Sequence, residues 1–89
     1  MSGVISLPPR CDTTFADTLE TTLAGGGSAS LDASGVQIFG ALCLEVLMGA
    51  VTARQETDST ITISDPSDGF IAALNVFGLT PERLTAGDF

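Results

Sequence analysis

Strand-like and helix-like stretches alternate three times along these 89 residues, and that alternation limits the fold more than any single motif does. Val4 to Leu7 is a short β-rich run stopped by Pro8-Pro9, which have no N–H to give to a ladder. Between Ser28 and Ala33 the apolar residues Ala29, Leu31 and Ala33 fall on one side. Ser59 to Ser64 alternates as cleanly around Ile61 and Ile63. Each run is followed by residues with helical spacing. Strand–helix–strand units in so short a chain close as right-handed crossovers, and crossovers make parallel neighbours. The expected fold is therefore α/β: a small, mostly parallel sheet of about four strands with three principal helices, in the order β-α-β-α-β-α. The strands Val4–Leu7, Ala29–Ala33 and Thr60–Ser64 are expected to be central. A chain of this length makes one domain. Residues 1–89 are expected to form it, with a core over 4–79 and a short turn and tail over 80–89.

The helix ends can be read from local chemistry. Asp12 to Thr14 offers capping side chains, Phe15, Leu19 and Leu23 recur on one face, and Gly25-Gly26-Gly27 ends the helix in left-handed backbone. Arg54 to Asp58 reads as a polar connection. For the third helix, Asp65 reads as the N-cap, Pro66 as the first helical residue and Asp68 as a first-turn acid. Phe70, Ile71, Leu74 and Phe77 are its expected core face, and Gly78 closes it with Leu79 packing beyond. Thr80-Pro81-Glu82 can start one more turn, and Thr85 to Phe89 is expected to fray.

The second helix is different. Val36 to Val51 is the most apolar stretch, broken only by Gln37 and Glu45 among polar side chains, and is too short for a membrane span of about twenty residues. Leu44, Leu47, Met48 and Val51 form a stripe, while Ala41, Leu42 and Val46 spread apolar surface around it. A helix apolar on nearly every side is either deeply buried or covered by a partner. Deep burial of a whole helix is hard to arrange in so small a domain, which favours a binding surface.

Composition removes most chemistry. Three Lys+Arg against eleven Asp+Glu give a net charge of −8, and the three cations are Arg10, Arg54 and Arg83, far apart. Such a surface repels nucleic acid and anionic lipid, so neither is an expected partner. Without histidine or lysine there is no imidazole metal ligand, no histidine-activated nucleophile and no phosphate-loop lysine. No catalytic residue, metal or cofactor is expected. Asp65 and Asp68 read as capping groups, and the triple glycine follows a helix instead of opening one. Cys11 and Cys43 read as small buried hydrophobes in a chain without a cleavable leader, which implies a reducing, cytoplasmic setting.

The run Leu31-Asp32-Ala33-Ser34-Gly35-Val36, then Gly40, a leucine-rich helix, an isoleucine strand, Asp65-Pro66-Ser67 and a final Leu74…Gly78-Leu79 resembles a STAS domain over about residues 4–79. This is the fold of bacterial anti-sigma-factor antagonists. In that family the second helix opens with Asp, Ser, Ser or Thr, Gly, Leu, and a partner kinase phosphorylates the second hydroxyl. In register from Asp32 those positions are Gly40, Ala41, Leu42, Cys43 and Leu44, of which only the final leucine matches. Leu42 has no hydroxyl, so the switch is missing. Ser34 is a neighbouring hydroxyl, but a serine before glycine in a loop reads as turn chemistry.

The resemblance implies a non-enzymatic, cytoplasmic regulatory module that docks a protein partner, an anti-sigma factor or kinase-like regulator of the kind found in chemotaxis and transcription control. Asp32, Ser34, Gly35 and Gln37 of the loop, with Gly40, Ala41 and Leu42 of the helix start, are the expected partner-binding residues. An oligomer is compatible with this reading. The alternative is a small cytosolic STAS subunit of an ABC-type lipid transport system.

Overall fold

The computed structural model describes residues 4–89; residues 1–3 of the expected 1–89 domain lie outside them. The described chain runs β1 (Val4–Ser6), β2 (Arg10–Cys11), α1 (Thr13–Leu23), β3 (Ala29–Asp32), β4 (Ile38–Phe39), α2 (Ala41–Arg54), β5 (Ile61–Ser64), α3 (Asp68–Val76) and α4 (Pro81–Ala86). It is an α/β fold in which every strand pairing among the described residues is parallel. A three-stranded sheet has the order β1-β3-β5, and β2 pairs with β4 beside it. Of the three strands expected to be central, only β3 is flanked on both sides.

The alternation read from the sequence places side chains as the pleat requires. Ile5, Leu31 and Ile63 stand side by side, with Ala29 beside Ile61, and Leu31 and Ile61 are buried. On the opposite side Ser30 faces Thr62, their hydroxyls 2.9 Å apart, and Asp32 faces Ser64. That side is polar. The core gathers Leu19 and Leu23 from α1, Leu44, Leu47 and Val51 from α2, Phe70 and Leu74 from α3, and Leu84 from α4. Phe39 meets Phe70 edge to face at 4.9 Å between ring centres, which ties β4 to α3.

Several local expectations change. The two-residue strands β2 and β4 carry no periodicity. They form because the Pro9 carbonyl accepts the Gln37 and Ile38 N–H groups, at 2.8 and 2.9 Å. The cap of α3 is Ser67, not Asp65, and the helix starts at Asp68. Ser67 accepts the Phe70 N–H at 3.1 Å while its hydroxyl donates to the Val36 carbonyl. A carboxylate can only accept, so an aspartate could not make both bonds. Asp65 instead takes left-handed backbone, with φ 49°. Phe77 points outward, because α3 ends at Val76 and Gly78 turns the chain with φ 74°. There Leu79 donates its N–H to Leu74 and buries its side chain, as expected.

The C-terminal stretch is built rather than frayed. Thr80 caps α4 through the Arg83 N–H, Leu84 is buried, and Gly87 closes the helix in left-handed backbone. Arg54 is likewise no loop residue. It is the last residue of α2, only 5% exposed, and bonds three carbonyls: Gly27 at 2.7 Å, Leu23 at 2.9 Å and Ala50 at 3.1 Å. The guanidinium thus meets the carbonyl end of α1, the glycine turn after it and its own helix. No helix among the described residues is long and apolar enough to cross a membrane.

Candidate functional site

The segment between β3 and β4 is a surplus of chain. In the first ladder Ile5 faces Leu31, 26 residues on; in the second Arg10 faces Ile38, 28 residues on. Two extra residues must therefore leave the sheet between them, and they leave as the loop 33–37.

That loop is held from both sides. Asp32 Oδ1 accepts the Ser34 N–H at 3.0 Å, and this bond, with one to the Ser34 hydroxyl, holds the Asp32 carboxyl below the usual carboxylate range. The Val36 N–H reaches back to Ala33, and the Val36 side chain is buried. On the α3 side, Ser67 donates its N–H to the Ala33 carbonyl and its hydroxyl to that of Val36. Gly69 packs so closely that a Cβ there would stand 2.6 Å from the Gln37 carbonyl oxygen. Only a glycine lets the helix lie on the loop. What remains outward is Ser34, Gly35, Gln37 and Ile38, the last 52% exposed.

The start of α2 follows directly. Gly40 is the N-cap in extended backbone and donates its N–H to Cys11 at 2.9 Å, with no side-chain cap over the helix amides. Ala41 and Leu42 face solvent, Leu42 with 44% exposure. Cys43 and Leu44 turn inward, and the Cys43 thiol donates to the Asp12 carbonyl at 3.2 Å. Burial, then the neighbouring Cys43 and Asp12, pushes the Cys11 thiol up to about 12; burial, then Asp12, raises Cys43 as well. Neither sulfur is an activated nucleophile.

The structure thus gathers Asp32, Ser34, Gly35, Gln37, Gly40, Ala41 and Leu42 along one loop-to-helix junction, but not as a uniform apolar face. Its apolar part is Ile38, Ala41 and Leu42. Ile38 was not singled out by the sequence, which showed it only as one residue of a continuous apolar run. The two-residue β4 turns Phe39 in and Ile38 out. The outward groups are the Asp32 carboxylate, already bonded to the Ser34 N–H, with a hydroxyl, an amide and alkyl surface, a set suited to making contacts. No group of three or more His, Cys, Asp or Glu side chains that could hold a metal occurs among the described residues.

The protein family described as "Mlab, STAS domain" matches residues 6–85, from the end of β1 into α4. No curated protein and no solved structure gives a significant match. The match spans almost all of the described chain, and the parallel strands with their crossover helices are those the resemblance implies. The chain belongs to the STAS-domain family, whose members are generally regulatory or binding modules and typically act through contact with other proteins.

Proposed function

We propose that this STAS domain is a non-enzymatic, cytoplasmic regulatory module of the anti-sigma-factor-antagonist type. It docks an anti-sigma or kinase-like protein through residues 34–37 and the start of α2, and does so without a phosphorylation switch. The observation that carries the reading is Leu42. It stands where the family motif has its phosphoacceptor, yet it presents an alkyl side chain with 44% exposure beside the exposed Ile38. A phosphate at that point would add nearly two negative charges to a docking face. An alkyl group keeps the face permanently apolar.

Leu42→Asp tests this. The substitution places a charge on an exposed position near a helix N-terminus, where the dipole favours it by roughly 0.3–1 kcal/mol. The expected result is an unchanged melting temperature and loss of the partner that the unaltered protein retains from its native cell, identified by mass spectrometry. A folded Leu42→Asp protein that retains the same partner equally well overturns the reading. The second reading, a small STAS subunit of an ABC-type lipid transport system, is favoured by the kind of STAS domain matched. The absence of a hydroxyl at Ala41 and Leu42 counts against it.

A further inference from the structure

A groove of about 430 Å³ runs beside the start of α2, between that helix and the turn from α3 into α4. Ala41, Glu45 and Met48 form one wall; Phe77, Arg83 and Phe89 stand along the other. Two of the large apolar side chains the molecule leaves exposed are here, Phe77 at 51% and Phe89 at 47%. Apolar surface gathered in a concavity is the arrangement that takes an apolar side chain from outside. Among the described residues no buried side-chain nitrogen or oxygen lacks a partner, so no polar group waits there to orient a small polar ligand.

The charges select the occupant. Arg83 is already engaged, its Nε 3.2 Å from Asp88 and its Nη1 3.1 Å from the Gly78 carbonyl. Glu45 is exposed and makes no ion pair among the described residues. The groove therefore offers apolar walls and one unneutralised carboxylate, on a protein of net charge −8. A second copy of this chain fits poorly. Of its three arginines Arg54 is buried, Arg83 is paired and only Arg10 is exposed and unpaired among the described residues, while the copy would bring a like charge of −8 to the contact. We infer that this groove binds an amphipathic helix of another protein, which inserts apolar side chains between Met48 and Phe77 and sets a lysine or arginine against Glu45. The inference rests on the reading of the chain as a docking module, but it concerns a surface beyond the loop 34–37.

The chain has two methionines, so a ¹³C-methyl-labelled sample gives an assignable Met48 signal inside the groove. The probe is a model amphipathic helix of leucine and lysine, with a leucine–glutamate helix of the same pattern as control. The Met48 methyl is expected to shift saturably with the basic helix and to stay in place with the acidic one. Glu45→Gln should weaken binding about two- to fivefold, and Phe77→Ala about fivefold or more. Leu42→Asp, which tests the other surface, should not weaken it. A Met48 signal that stays in place, or that moves equally with both helices, overturns the inference. So does full affinity in Glu45→Gln, or a dimer through this face in sedimentation. Loss of the native partner on Leu42→Asp with an unresponsive Met48 would leave the docking function standing and remove the groove from it.

Discussion

Two helical glycines should respond to the same substitution with opposite sign. At Gly69 an added methyl would lie 2.6 Å from the Gln37 oxygen, 2.9 Å from the Val36 oxygen and 3.0 Å from the Gln37 carbonyl carbon. These are backbone atoms, and ordinary contact begins at 3.4 Å, so the loop must retreat by about 0.8 Å. Overpacking of this kind costs about 1–3 kcal/mol. The better helix propensity of alanine returns about 0.5–1 kcal/mol. The midpoints of the two leave a net loss of about 1.25 kcal/mol for Gly69→Ala, or a melting temperature lower by about 5–10 °C in a domain of this size. Gly49, exposed on α2, has nothing within 4 Å of its added methyl. Gly49→Ala should gain about 0.5–1 kcal/mol and melt about 2–8 °C higher. Paired thermal melts read both. Hydrogen exchange locates the damage, since the Gln37 and Ile38 amides donate to Pro9 and should exchange faster in Gly69→Ala alone. A Gly69→Ala protein as stable as the unaltered one would refute the close packing of α3 on the loop.

Two further outcomes follow from buried groups. Arg54→Met keeps the bulk of the side chain but removes the donors to Gly27, Leu23 and Ala50; the Gly27 carbonyl loses its guanidinium partner, whereas Leu23 still accepts the Gly26 N–H, and the loss should be about 1–3 kcal/mol in urea unfolding; a loss below about 0.5 kcal/mol would show that water replaces the guanidinium without penalty. Cys11 and Cys43 should resist a thiol reagent at pH 8 in the folded protein and react fully in urea. Because Cys11 holds its proton more tightly folded than unfolded, its contribution is complete below the ordinary thiol value of 9.0 and is lost as pH rises toward about 12. Stability that stays flat across that alkaline window would contradict its burial.

The sequence exposes what is periodic and hides what is brief. Ile61 and Ile63 alternate with Thr62 and Ser64, and β5 has that one-sided polarity. Gly78 and Leu79 end α3 as their chemistry demands. By contrast, β2 and β4 are two residues each, shorter than one repeat of the pleat pattern, and exist through long-range bonds to Pro9. Arg54 looked like the edge of a polar linker because its acceptors are carbonyls, which every residue carries and no residue type announces. Ser67 displaced Asp65 as a cap through a bond to Val36, 31 residues away, which no local rule detects. The site shows the same division. Ser34 and Gly35 were legible as turn chemistry, whereas the outward turn of Ile38 depends on a strand too short to read.

The two-residue slip between the ladders has a consequence for how such a surface can diverge. The ladder at Ile5–Leu31 and the ladder at Arg10–Ile38 are each complete without the residues between them. Ser34 and Gly35 are therefore lengths of chain that neither ladder uses, tethered through Val36 and the Asp32 turn. Evolution can rewrite these two side chains without disturbing a strand, while Val36, Ser67 and Gly69 remain as the fixed mount. On the proposed docking, recognition and folding are encoded in interleaved but separate letters, so a new specificity can arise here in single substitutions that cost the fold almost nothing.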